Sequence, residues 1–120
     1  MELQHFETNL AKEKIYPKLV RDNIPEIVGQ KTGKEVKTRI LADDQEYLAF
    51  LLKKVEEEAY ELAHAEGREH LAEETADILE LLDSLLDLNS LTWEEITKIK
   101  QSKAEKNGGF RKRILMLEKV

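Results

Sequence analysis

Between residues 43 and 107 apolar side chains recur every three or four positions, and that spacing predicts helices. Leu48, Leu51, Leu52, Val55, Ala59 and Leu62 form one stripe, which places a helix from about Asp43 to Ala65. Asp43 and Glu46 have the spacing of a capping box at its start, and Gly67 supplies a stop. A second helix is expected from about Glu69 to Leu88, with Leu71, Ile78, Leu82, Leu85 and Leu86 on its inner face. Asn89 and Ser90 break it. Thr92 and Glu95 make another capping box, opening a third helix that runs to about Lys106 and ends at Gly108-Gly109. Short connections between three such helices imply an antiparallel bundle.

The flanks are less regular. Residues 1–16 are polar and weakly patterned, a short helix or an arm. Pro25 pushes Ile24 out of helical geometry and can itself open a short helix ending near Gly29. Val36 to Leu41 is the one plausible strand, and Ile114 to Leu117 its candidate partner. The expected fold class is all-α: an antiparallel helical bundle with at most a small two-stranded β element.

Composition narrows the chemistry. The 120 residues contain no cysteine, so disulfides, thiolate catalysis and cysteine zinc sites are excluded. No apolar run is long enough to span a membrane and no N-terminal stretch resembles a signal peptide, so a cytoplasmic location without membrane partners is expected. The net charge of −6 is unevenly spread. Residues 1–42 balance at +2, residues 43–95 at −14, and residues 96–120 at +6. Nucleic acid would call for a basic stripe without that acidic middle. An acidic middle beside a basic tail suits a metal ion together with a phosphate-bearing ligand.

The acids lie unusually with respect to the stripes. At about 100° per residue, Glu58 falls about 70° from the centre of the first stripe, Glu61 about 130° and Glu57 about 170°. Glu74 falls inside the apolar stripe of the second helix and Asp77 at its edge, whereas Glu73, Glu80, Asp83 and Asp87 point away. A buried carboxylate needs a partner, because its desolvation costs several kcal/mol. Lys53 and Lys54 precede the first cluster and Arg68 sits in the turn, so few cations are close in sequence. Glu58, Glu61, Glu74 and Asp77 are therefore expected to converge as oxygen ligands, a set favouring Mg²⁺, or Mn²⁺, over zinc or copper.

Glu57-Glu58-Ala59-Tyr60-Glu61 followed by Glu74-Thr75-Ala76-Asp77 resembles the EExxE…ExxD signature of the MazG-like all-α nucleoside triphosphate pyrophosphohydrolases. Lys18-Leu19-Val20-Arg21-Asp22-Asn23-Ile24-Pro25, with Lys103…Gly108-Gly109-Phe110, is similar to a small subgroup labelled phosphoribosyl-ATP pyrophosphohydrolase-like. The resemblance covers about residues 17–118, making 1–16 an N-terminal extension and 17–120 the domain. It implies that Glu57, Glu58, Glu61, Glu74 and Asp77 hold Mg²⁺ and orient water, which attacks the α-phosphorus of a nucleoside triphosphate. The products would be a nucleoside monophosphate and pyrophosphate. Glu57 or Glu58 would accept the water's proton. The position of Asn107 is often arginine in the subgroup, which implies that its phosphate role is either weakened here or moved to Lys106 or Arg111.

Lys18 and Arg21 are open between phosphate contact and pairing with Asp22 or the acidic helices, and Lys103 is a phosphate-ligand candidate. Trp93 and Phe110 are expected in the core or a subunit contact, and His5, His64 and His70 at the surface. Leu81, Leu85 and Leu88 leave apolar surface to cover, so the bundle is expected to be completed by a homodimer or higher homo-oligomer. The leading function is house-cleaning of aberrant nucleotides. The alternatives are the phosphoribosyl-ATP hydrolase of histidine biosynthesis, although that enzyme lacks the KLVRDNIP opening, and a non-catalytic helical interaction module.

Overall fold

Four helices follow one another in the computed structural model, which describes residues 16–120: α1 (Ile24–Thr32), α2 (Asp44–Ala63), α3 (Gly67–Leu88) and α4 (Trp93–Asn107). Among the described residues there is no strand. Residues 1–15, the bulk of the expected extension together with His5, lie outside them.

The centre is the α2–α3 hairpin. His64–Glu66 joins the two helices, and a connection of that length turns them antiparallel along their packed faces. Gly67 is the first residue of α3, at φ 85°, rather than the end of α2. The carbonyls at the end of α2 are met by His64 instead: its backbone N–H bonds back into the last turn, and its Nδ1–H donates to the Tyr60 carbonyl at 2.8 Å. The His64 ring stacks on Tyr60 at 4.1 Å.

Capping at the helix starts follows the sequence in one case and departs from it in another. At α4 the box closes in both directions, with Thr92 Oγ1 accepting from the Glu95 amide and Glu95 accepting from the Thr92 amide. At α2 only half of it forms. Asp43 accepts from the Gln45 amide, but Glu46 accepts from Arg39 Nη1 at 2.7 Å, an exposed ion pair that holds the Glu46 carboxyl below its usual range. A charged donor in the preceding linker outcompetes one backbone amide. α1 runs past Gly29 to Thr32 and stops where Gly33 turns left-handed at φ 67°.

Little of the chain is buried. Among the described residues Leu51 and Leu86 are the buried apolar ones, and neither α1 nor α4 buries any residue. Leu52 and Leu71, expected inside, are about half exposed, and so is Leu79. Trp93 stays partly exposed with its indole N–H on Asp83 Oδ1 at 2.5 Å, and Phe110 is fully exposed, so neither is a core residue within one chain. The two expected strand segments are both open: Ile40 and Ile114 to Leu117 are exposed, and no backbone–backbone hydrogen bond joins residues 36–41 to 114–117. Among the described residues neither segment has a sheet edge to pair with. The Cα radius of gyration is 17.9 Å, against about 14 Å for a compact chain of this length.

The reciprocal cap on α4 gives a local expectation. Thr92→Ala should destabilise the helix by about 1 kcal/mol, seen as faster hydrogen exchange at the Glu95 amide. Unchanged exchange there would show that the box contributes nothing.

Candidate metal centre

The carboxylates gather on one side of the hairpin, where α2 and α3 face each other. Glu58 and Glu74 are buried, at 4% and 7% exposure, and Asp77 is partly exposed. One oxygen from each of Glu58, Glu74 and Asp77 lies within 4.8 Å of the others. Two antiparallel helices achieve this because Glu74 and Asp77 are three residues apart on α3, while Glu58 follows Leu51 by two turns on α2. Three carboxylate oxygens drawn from two helices into that span are the hard-donor set that Mg²⁺ takes, and closing on an ion would bring them nearer one another.

A second set, Glu61, His70 and Glu74, also converges within 4.8 Å and shares Glu74 with the first. His70 is the least suited of its members. The Glu66 amide donates to His70 Nδ1 at 3.2 Å, which leaves the ring proton on Nε2, 3.4 Å from Glu74 Oε1. The imidazole thus holds Glu74 in place, the usual position of a group behind a metal ligand. The oxygen-only set is the better cation site.

Cations stand close to these acids. Lys54 Nζ lies 3.3 Å from Glu57 and 3.7 Å from Glu58, one helical turn away on the same element. Arg21 Nη2 donates to Asp77 Oδ1 at 2.7 Å and so ties the segment before α1 to α3. That hydrogen bond, followed by the charges of Asp77, Glu80 and Glu58, raises the guanidinium above its ordinary value against the opposing effect of burial. Of the two sequence readings of Arg21, the structure displays the ion pair.

Three sequence expectations need correction here. Glu57, phased to the far side of α2, is 3% exposed, and its Oε1 meets no hydrogen-bond partner among the described residues. The buried sector of α2 is rotated from the leucine stripe toward the acids: it takes in Leu51, Glu57 and Glu58 and leaves Leu52 and Ala59 exposed. The clusters were also expected to lack cations from their own helices, whereas Lys54 pairs at i,i+3 and i,i+4. His70, expected only at the surface, was missed as a neighbour of Glu74, although its i,i+4 spacing was legible.

The remaining binding candidates are less concentrated. Lys18 Nζ rests 4.9 Å over the Tyr16 ring. Lys103, Lys106 and Arg111 are exposed, and among the described residues none forms an ion pair with the carboxylates. Glu57 and Glu61 differ in place: Glu61 belongs to the set with His70, and Glu57 to neither convergent set.

The Arg21–Asp77 pair is half exposed, with side-chain exposures of 57% and 36%. Pairs of this kind contribute roughly 0.2–1 kcal/mol. A double-mutant cycle of Arg21→Gln and Asp77→Asn in urea unfolding should return a coupling in that range. A coupling above about 2 kcal/mol would make Asp77 a structural anchor unavailable to a cation.

Comparison with family models, curated proteins and solved structures finds no match to this chain, so the functional reading rests on the geometry of these side chains and on the motifs that supply them.

Proposed function

We propose that the chain is a Mg²⁺-dependent nucleoside triphosphate pyrophosphohydrolase of the MazG-like kind, acting in the cytoplasm as a homodimer or larger homo-oligomer. The observation that carries this reading is the approach of Glu58, Glu74 and Asp77 oxygens to within 4.8 Å, two of the three side chains being buried. Like charges placed so closely and partly desolvated repel one another, and a divalent cation relieves that repulsion. The EExxE…ExxD spacing supplies the same residues.

In this reading Glu58, Glu74 and Asp77 hold the cation, with Glu61 beside them. When bound, the ion neutralises phosphate charge and lowers the pKa of coordinated water. His70 keeps Glu74 aimed inward. Lys54 fixes one oxygen of Glu57 and leaves Oε1 without a donor, which suits that atom to accept a proton from the attacking water. Arg21 can leave its exposed pair with Asp77 for a phosphate, and Lys18, Lys103, Lys106 and Arg111 add positive charge for the polyphosphate. The KLVRDNIP segment that carries Arg21 favours a house-cleaning role over phosphoribosyl-ATP hydrolysis.

A panel of common and modified nucleoside triphosphates with Mg²⁺ tests the chemistry. The expected products are nucleoside monophosphate and pyrophosphate. Nucleoside diphosphate and inorganic phosphate as primary products would overturn it, and no turnover of any nucleotide would favour the helical interaction module.

Metal binding has its own readout. Millimolar Mg²⁺ should raise the melting temperature, by the equivalent of roughly 2.7 kcal/mol when the ion is at 100 times its dissociation constant. Glu74→Gln should lose most of that shift and nearly all activity. Glu73→Gln, one residue away on the exposed side of α3, should keep both. Equal responses from the two variants would remove the site from this side of the hairpin.

A further inference from the structure

The last 13 residues make no helix or strand, and every one of them is exposed. They are nonetheless strongly apolar: Phe110, Ile114, Leu115, Met116, Leu117 and Val120 are 97%, 81%, 64%, 72%, 82% and 105% exposed. Ile114 to Leu117 form an unbroken run with non-helical backbone, and no backbone–backbone hydrogen bond involves them. In an extended chain successive side chains point to opposite sides, so this run presents apolar surface in two directions. At about 25 cal/mol for each Å², leaving it in water is unfavourable.

The hairpin carries a matching face. Measured at about 100° per residue from the α2–α3 contact line, Leu52 and Ala59 on α2 lie on the same side as Leu71, Thr75 and Leu79 on α3. That side is opposite the carboxylates. All five residues are exposed, and the small side chains of Ala59 and Thr75 leave a shallow floor between the leucines. The net charges also attract one another: residues 43–95, which hold the hairpin, balance at −14, while residues 96–120 balance at +6.

A second copy of the chain is the occupant that the area favours. The accessible surface is 11213 Å² for 13.9 kDa, where a folded monomer of that mass exposes roughly 6,700 Å². The excess, roughly 4,500 Å², is of the size that an obligate dimer buries, roughly 2,000–5,000 Å². Resting on the homodimer proposed above, but not on its catalytic activity, we propose that residues 108–120 are an exchange arm that lies across the Leu52–Leu71–Leu79 face of a second copy of this chain. By two-fold symmetry each copy gives one arm and receives one. The arm covers the apolar back of the partner's hairpin.

The absence of native cysteine makes a direct test simple, because only an introduced thiol takes a label. Unlabelled Leu115→Cys protein carrying a nitroxide is mixed with ¹⁵N-labelled wild-type chain, so paramagnetic broadening reports contacts between copies alone. Broadening of the amides of Leu52, Ala59, Leu71, Thr75 and Leu79 is expected. A chain ending at Gly108 should keep its helical circular dichroism while its dimer dissociation constant rises at least tenfold. A dimer by light scattering without broadening on that face overturns the arm and leaves the dimer standing. Broadening confined to residues 36–41 would overturn it in favour of strand pairing between copies, and a monomeric mass at 100 μM would overturn both arm and dimer. Pyrophosphate release from the full-length chain is scored separately, so loss of the catalytic reading leaves this result intact.

Discussion

Two carboxylates buried between the same pair of helices dominate this molecule. Glu58 and Glu74 occupy positions on the α2–α3 contact that leucines would fill in an ordinary helical hairpin. Desolvated like charges oppose the packing that brings them together. The surrounding side chains make sense as responses to that conflict. Lys54 reaches Glu57 and Glu58 from one turn earlier, His70 stands behind Glu74, and Arg21 comes from outside the hairpin to Asp77. The acidic face is held by charge arranged around it, with little apolar packing.

The apolar packing that does exist is thin. Leu51 and Leu86 both lie away from the turn of the hairpin, and α1 and α4 contribute no buried residue. Such a distribution leaves the chain's leucines and isoleucines facing outward in numbers that a monomer of this size does not ordinarily tolerate. Acids lie on one side of the hairpin and exposed apolar residues on the other.

Much of the helix layout was legible because it depends on local signals. The Thr92–Glu95 box, the Gly108 cap and the periodicity of residues 44–88 are decided within a few residues of chain. Glu74 was legible for the same reason, since a single acid inside a leucine stripe stands out on a wheel. Glu57 was not. Its burial depends on how far α2 rotates about its axis on meeting α3, and a stripe averaged over six apolar residues points at Leu52 and Ala59, which the hairpin leaves outside. The strand pair failed for a related reason. Alternation in Val36–Leu41 records a preference for extended backbone, but the pairing partner of an extended segment is set by tertiary arrangement.

The corner between α3 and α4 has a practical side. Trp93 is the only tryptophan in the chain, and its indole N–H is bound to the Asp83 carboxylate across that corner. Both residues line a shallow hollow with Leu86 and Leu91. Intrinsic fluorescence is therefore a local optical gauge. It responds to the angle at which α4 leaves the hairpin, whereas the carboxylate face has no tryptophan and is spectroscopically silent. Emission and helicity measured on the same sample thus report on different parts of the molecule, and a divergence between them would describe α4 swinging away from an intact α2–α3 pair.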